Sequence, residues 1–293
     1  MSTTLGNVVD STLLYLSGFT NQQDQSTYLL GGLNTTDLTA SINDASGISR
    51  GVVEIGYEII QVDNVDRASQ AMTIPPYGRG FRGTDAATHS AGTRVVSSPQ
   101  FPRFSVRQAV NDSISAVYPD LFAITDEFLT ADPTKVNFTL TNTNARHVLR
   151  VAGKQVGPSL EFVPIRKYEL RPYTSGGPAL SLYEQPVPGQ QIHVRTAGPP
   201  QPLSADTDLF SATGLPDSAI DVVRLGAAYR MVPYLETPLV SGLSATADLA
   251  ANMRPIGAGE RLGKYLLGLY RTRLEEVRRQ QQAENPIRAH YER

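Results

Sequence analysis

The sequence predicts an α+β protein whose β-rich and helical stretches are segregated along the chain. Three observations predict it. Residues 35–98 and 136–198 consist of short runs rich in β-branched residues, divided by Asn, Gly and Pro turns. Other segments carry apolar residues at helical spacing, between those regions and after them. No internal repeat of fixed period runs through the chain, so no solenoid explains the alternation.

The elements follow in order. Residues 11–18, STLLYLSG, are an apolar run that predicts a helical turn or two, ended by Gly18. Polar Gln- and Gly-rich sequence continues to residue 34. Residues 38–42 alternate, 52–62 read as a strand bounded by turn signals, and 72–74 and 93–96 are shorter strands. In FSVRQAVNDSISAVYPD (104–120), Ser105 with Gln108 makes a capping box. Val106, Ala109, Val110, Ile114 and Val117 then share one helical face, and Pro119 ends the helix.

Strand patterning returns at 136–140, 147–151, 162–165, 168–170, 180–183 and 191–194. Turns at roughly ten-residue spacing predict an antiparallel sandwich or barrel there. A Pro-rich linker, AGPPQPLSADTD, covers 197–208. Beyond it, Pro216 suits a first helical turn, and Ile220, Val223, Ala227 and Met231 mark one face before Pro233. A last helix over 259–282 carries Leu262, Leu266, Leu269 and Val277 on one side. Arg271–Glu275 and Glu275–Arg279 form i,i+4 pairs on the other. The expected organisation is an arm (1–34), a small β-module (35–100), helical segments (101–133 and 208–282), a β-domain (134–200) and a C-terminal tail (283–293).

The chain has 293 residues, 40% of them apolar, which is enough for a sizeable core. Charged residues are only 18%, below the usual quarter, which suits a chain that hides surface in contacts. With a net charge of −2, the chain as a whole is not a polyanion binder. It has no cysteine, which excludes disulfides and thiolate metal sites and suits a reducing cytosol. No run of 18 apolar residues exists, and the N-terminus lacks a basic n-region and an A-x-A cleavage site.

Catalytic signatures find little support. Gly78-Arg79-Gly80-Phe81-Arg82-Gly83 fits the dinucleotide spacing G-x-G-x-x-G. Pro75-Pro76 precede it, no amphipathic helix follows, and no acid stands near position 100. Gly78, Gly80, Gly83 and Gly92 are therefore expected to supply turns in a tight surface loop. His89, His147, His193 and His290 show no metal-ligand spacing, and His147 and His193 read as strand residues. There is no nucleophile elbow and no Walker lysine. Asp126 and Glu127 are adjacent, so an extended chain aims them at opposite faces, and a solvated loop is the expectation for them. Arginines cluster at 79, 82 and 94, and again at Arg271, Arg273, Arg278, Arg279, Arg288 and Arg293, where glutamates interleave.

The stretch 55–95 resembles a β-module of tailed-bacteriophage structural proteins. The residues that carry the likeness are Glu58, Ile59 and Val62, then Arg79, Gly80, Gly83, Thr84, Ala86, Ala87, His89, Gly92 and Val95. The helix in FSVRQAVNDSISAVYPDLFAI, the segment VRLGAAYRMVPYLE, the long C-terminal helix and the ending IRAHYER are similar to head-to-tail connector proteins, the adaptors that dock under a portal.

That resemblance implies a helical bundle core of the connector type, with a small N-terminal β-module. The antiparallel sandwich or barrel-like domain at 134–200 would be an insertion, which compact adaptors lack. It implies a structural virion protein of the neck, assembled in the host cytoplasm, with no catalysis and no cofactor. The partners implied are copies of itself in a dodecameric ring, the portal protein, and tail terminator or other neck and tail proteins. DNA would pass through the lumen as non-specific cargo during ejection, and no membrane is involved. A channel should not grip phosphates, which suits a near-neutral chain. Such a ring closes by head-to-tail contacts. The tail would fold on the portal, with Arg278, Arg279, Ile287, Arg288, His290, Tyr291 and Arg293 at the contact. The alternative is a tail-tip, fibre or receptor-binding component that uses the 134–200 domain.

Overall fold

The structure is a computed structural model. It describes residues 3–19, 24–132, 134–155, 161–184, 186–232 and 258–286. The chain divides into two units. One comprises 7–110 and 224–268, and the other 1–6, 111–223 and 269–293. Among the described residues there are four α-helices: α1 (Leu5–Ser17), α2 (Arg103–Ala116), α3 (Ile220–Met231) and α4 (Ala258–Glu284).

The first unit holds two antiparallel sheets. One has the order β1-β7-β3-β4, from β1 (Gln25–Tyr28), β3 (Gly51–Ile55), β4 (Glu58–Val62) and β7 (Arg94–Ser97). The other has the order β2-β6-β5, from β2 (Thr39–Ser41), β5 (Asn64–Asp66) and β6 (Ala71–Thr73). Their side chains close one core that includes Ala40, Ile42, Val53, Ile55, Ile60, Val62, Met72 and Val95. Residues 52–62 are a hairpin and not the single strand expected. Gly56, at φ 63°, turns the chain so that Ile55 pairs with Glu58. Glycine adopts that conformation without a Cβ penalty, so the β-branched run folds back on itself.

The second unit holds a sandwich. One sheet runs β11-β10-β14-β8, from β8 (Ala123–Thr130), β10 (His147–Lys154), β11 (Phe162–Pro164) and β14 (Gln191–Gly198). The other runs β12-β13-β9, from β9 (Asn137–Thr139), β12 (Tyr168–Arg171) and β13 (Ala179–Leu182). Phe138, Leu180 and Leu182 of the second sheet share a core with Val151, Ile192 and Val194 of the first. Strand β8 was not expected from the sequence. Its stretch AITDEFLT places Asp126 and Glu127 on a strand, where a loop was expected.

The expected helical bundle core is not found. Helices do form close to where periodicity places them, and each buries a stripe: Val106, Val110 and Ile114 on α2, Val223 and Ala227 on α3, Leu266 and Val277 on α4. Yet the cores of the two sheet pairs are built from strands and the loops between them, and no described helix residue enters either. Periodicity specifies which face of a helix is buried but not what buries it, and here the described chain is β-rich with a smaller helical part.

Two side-chain amides, one half-buried and one buried, tie helices to extended chain within the second unit. Asn111 of α2 donates from Nδ2 to Leu203 O at 2.8 Å and accepts from Leu203 N at 3.0 Å. Gln281 of α4 does the same with Phe122, at 2.7 and 3.2 Å. Each amide acts as a surrogate strand partner, satisfying both backbone groups of one residue. Helix α2 begins at Arg103, two residues before the expected cap, so Ser105 and Gln108 do not start it.

Candidate functional site

Three arrangements of charged and aromatic side chains stand out. The first is the glycine loop of the first unit, built around Glu58 at the start of β4. Glu58 is buried and points into the loop that follows Pro76. Arg79 grips it bidentately, Nε to Oε1 at 2.8 Å and Nη2 to Oε2 at 3.0 Å. His89 Nε2 lies 2.8 Å from Oε2, and the backbone amides of Gly80 and Ala87 donate at 3.0 and 3.1 Å. The side chains of Glu58, Arg79 and His89 are 0%, 6% and 8% exposed. Burial by itself pushes the carboxyl up, but the hydrogen bonds from His89, Arg79, Ala87 and Gly80 together bring it down to about 2.

Arg79 does more than pair. It also donates to the carbonyls of Asn34, Asp37 (3.2 Å) and Ala87 (2.7 Å), and so clamps three chain segments with one guanidinium. Leu33 and His89 exchange backbone bonds at 2.8 Å in both directions. Thr84 Oγ1 accepts from Ile59 N at 3.1 Å.

The glycines fit this crowding. A Cβ on Gly78 would stand 2.6 Å from Gln61 O. Gly80 has φ 59°, and a Cβ there would stand 2.7 Å from Thr84 O. Gly83 and Gly92 lie further along the same loop. After Gly80 the chain enters a three-residue 3₁₀ turn, Phe81–Gly83, and the neighbouring strands are antiparallel. The strand–loop–helix crossover that a dinucleotide fingerprint requires is not formed.

The second arrangement surrounds Glu54 of β3, in the same unit. Its Oε2 accepts the backbone amide of Arg103, the first residue of α2, at 2.5 Å. A strand carboxylate thus caps a helix N-terminus from outside the helix. Arg103 and Arg107 stack on the ring of Tyr57, at 4.9 and 4.5 Å, on the turn of the same hairpin. Arg103 also pairs with Asp10. Burial pushes the Glu54 carboxyl up to about 7, against the lowering effect of the Arg103 amide and charge. Glu54 borders a cleft of about 850 Å³ that Asp10, Asp24, Arg94 and Arg103 also line. A perturbed carboxyl in a cleft is a signature of acid–base chemistry. Here burial accounts for it, and the group bonded to Glu54 is a helix amide and not a second acid or base.

The third arrangement lies on the sandwich. Register sets Asp126 opposite Arg195, and Phe128 opposite His193, across β8 and β14. Arg195 holds Asp126 bidentately, at 2.8 and 3.0 Å, and His193 Nε2 stands 2.7 Å from Asp126 Oδ1. The Arg195 hydrogen bonds hold the Asp126 carboxyl below its usual range, with burial opposing them and His193 adding to them. Phe128 stacks on His193 with centroids 4.9 Å apart, and Phe162 meets both rings at 6.2 and 5.8 Å. Phe128 is 57% exposed. This face looks away from the core, because Leu129, Ile192 and Val194 alternate to the inside.

The residues expected at a partner contact are placed as follows. Arg278 lies 3.3 Å from Glu275 and 3.6 Å from Asp120, and Arg279 pairs with Glu275 at 3.0 Å. Ile287, Arg288, His290, Tyr291 and Arg293 lie outside the described residues. Among the described residues, no group of three or more His, Cys, Asp or Glu could hold a metal ion, and no helix is long and apolar enough to cross a membrane. Sequence reading grouped Arg79 with Arg82 and Arg94 as basic residues. The signal that could separate it was the resemblance to a phage module, which Glu58, Arg79 and His89 carry together. No protein-family model matches the chain, and no curated protein matches it.

Proposed function

We propose that this chain is a structural virion protein, a head-to-tail adaptor of a tailed-phage neck that forms a ring between portal and tail completion proteins. One observation carries the reading. The motif residues that suggested a phage module converge on a single buried knot, in which Glu58 is bound by Arg79, His89, Gly80 and Ala87. Those residues are engaged in holding a loop to a sheet, which supports a protein that acts by shape and has no catalytic role. DNA passes through such a ring as cargo, and the weak net charge of the chain suits that role.

The test is assembly with the cognate portal, read by native mass measurement of the particle. A ring matching the portal's symmetry is expected. Removal of residues 287–293 should weaken portal docking at least tenfold, the loss expected when a segment that folds on its partner is deleted. The cut is placed after Pro286 because Gln281 anchors Phe122, so a shorter chain would also disturb the fold. A chain that ignores the portal in both forms overturns the reading.

A second reading has one observation in its favour. The exposed Phe128–His193–Phe162 face suits a receptor-binding component of the tail tip or fibre. It predicts a three-fold particle and no affinity for the portal, so the same mass measurement separates the two.

A further inference from the structure

The outer face of the sheet β11-β10-β14-β8 carries two rows of side chains that cross its strands. Register sets Asp126 opposite Arg195, and Arg195 opposite Arg150. Ala152 pairs with Pro164, and Ile165 N bonds Val151 O at 3.0 Å, so Arg166 falls opposite Arg150. Three arginines thus stand in one row, about 10 Å long at the usual strand spacing. Like charges directly opposite are destabilising, and Asp126 is bonded only to the first of them, Arg195. Arg150 and Arg166 are exposed and have no acidic partner among the described residues. Lys154, two positions beyond Ala152, adds a fourth cation to the same face. The three arginines also line a cleft of about 430 Å³, with Tyr168, Glu284 and Pro286. Glu284 is engaged there by Gln280, at 3.1 Å. The second row lies two residues along the strands, about 7 Å away. It holds Phe128 and His193, stacked 4.9 Å apart, and Phe162 reaches His193 at 5.8 Å. All of these residues belong to the second unit.

We infer that this face binds single-stranded nucleic acid, with phosphates along the arginine row and bases stacked on the aromatic row. Two features select the ligand. Guanidinium forks match phosphate oxygens, and the face sets Arg195, Arg150, Arg166 and Lys154 against the one carboxylate of Asp126. Charge complementarity therefore calls for an anion, although the whole chain has a net charge of −2. The aromatic row then says which anion. Proteins that hold single strands combine a basic track with aromatic platforms. A single strand carries its charges along one edge and its flat rings along the other, as this face does. A duplex keeps its rings inside the stack. An acidic peptide or a sulfated glycan brings charge without a flat ring to lay on Phe128, which is 57% exposed. The inference goes beyond the proposed function, since it concerns the sandwich of one chain and does not depend on a ring.

The experiment is fluorescence anisotropy of a labelled oligo-dT of about 15 nucleotides with the full chain, on wild type, R150E, R166E, F128A and R67E. Thermal unfolding checks that each variant folds. Wild type is expected to bind saturably and to weaken with salt, with a log–log slope of about −2 for three phosphate contacts. R150E and R166E should each reduce affinity roughly tenfold, and F128A by a similar factor through the loss of a stacked base. R67E reverses an exposed charge in the first unit and should leave binding unchanged. Unlabelled oligo-dT should displace the probe at lower charge concentration than heparin, poly-glutamate or a duplex of the same length. The inference is overturned if wild type does not bind saturably, if R150E and R166E bind as wild type does, or if R67E weakens binding as much as they do. It is also overturned if F128A binds as wild type does, or if heparin, poly-glutamate or duplex competes as well as the single strand, which would assign the face to a different polyanion. Each of these failures leaves the proposed function standing, because the mass of the portal particle is a separate measurement.

Discussion

Each unit carries a carboxylate held by one arginine and one histidine, in nearly the same geometry. Glu58 has Arg79 at 2.8 and 3.0 Å and His89 at 2.8 Å. Asp126 has Arg195 at 2.8 and 3.0 Å and His193 at 2.7 Å. What differs is water. The first trio is sealed, with Glu58 and Arg79 side chains 0% and 6% exposed, while Asp126 and Arg195 are 39% and 38% exposed. The buried trio also receives two backbone amides and gives three hydrogen bonds to carbonyls, so both Glu58 oxygens and all three Arg79 side-chain nitrogens are engaged inside the fold. The exposed trio sits beside the exposed Phe128 ring, on the strand that ends its sheet among the described residues. The same chemistry thus forms a sealed knot in one place and a solvated cluster in the other.

Several measurements would break or sharpen that contrast. The largest effect is expected from Glu58→Gln, which leaves the Arg79 charge buried without its partner. Loss of one member of a buried pair costs about 3–5 kcal/mol, so denaturant unfolding of this variant should show the first unit destabilised or unfolded. A loss below about 1 kcal/mol would place this trio with the exposed one.

The next effect concerns pH. Glu58, near 2 when folded and 4.5 otherwise, contributes stability above pH 4.5 that is lost as pH falls toward 2. Glu54 runs the other way. Its folded value of about 7 lies above 4.5, so the native state binds more protons between those limits, and stability falls as pH rises through that window. The loss should amount to about 3 kcal/mol, and Glu54→Gln should flatten the profile of Tm between pH 4.5 and 7. A wild-type profile that rises across that window contradicts the burial of Glu54.

Gly80→Ala is expected to cost about 1–3 kcal/mol, because the residue stands at φ 59° with no room for a Cβ beside Thr84 O. The smallest effect is expected from Asp126→Asn. An exposed pair contributes about 0–1 kcal/mol, so its unfolding curve should overlay that of the wild type. A loss comparable to that of Glu58→Gln would show that exposure does not separate the two trios.

Much of the secondary structure was legible in the sequence. The stripe from Val106 to Ile114 marked α2, and short strand-patterned runs between turns marked β6, β7, β10 and β13. What misled was information about neighbours. Residues 52–62 looked like one strand because composition carries no sign of the reversal at Gly56. Strand β8 was missed because Asp126 and Glu127 interrupt its apolar residues, and only pairing with β14 along its whole length makes it a strand. The bundle was expected because the helical segments resemble those of connector proteins. A helix stripe records burial, while the partner that buries it is a long-range property.

By itself the sequence determined which residues alternate and which recur at helical spacing. The tertiary structure alone decided that Glu58, Arg79 and His89 meet out of water, that Glu54 caps a helix it does not belong to, and that β8 pairs with β14 along its whole length. The physical reason is range. Alternation and periodicity depend on neighbours within a few positions, whereas burial, ion pairing and strand edges depend on contacts between residues tens of positions apart, such as Glu58 with His89 or Asp126 with Arg195.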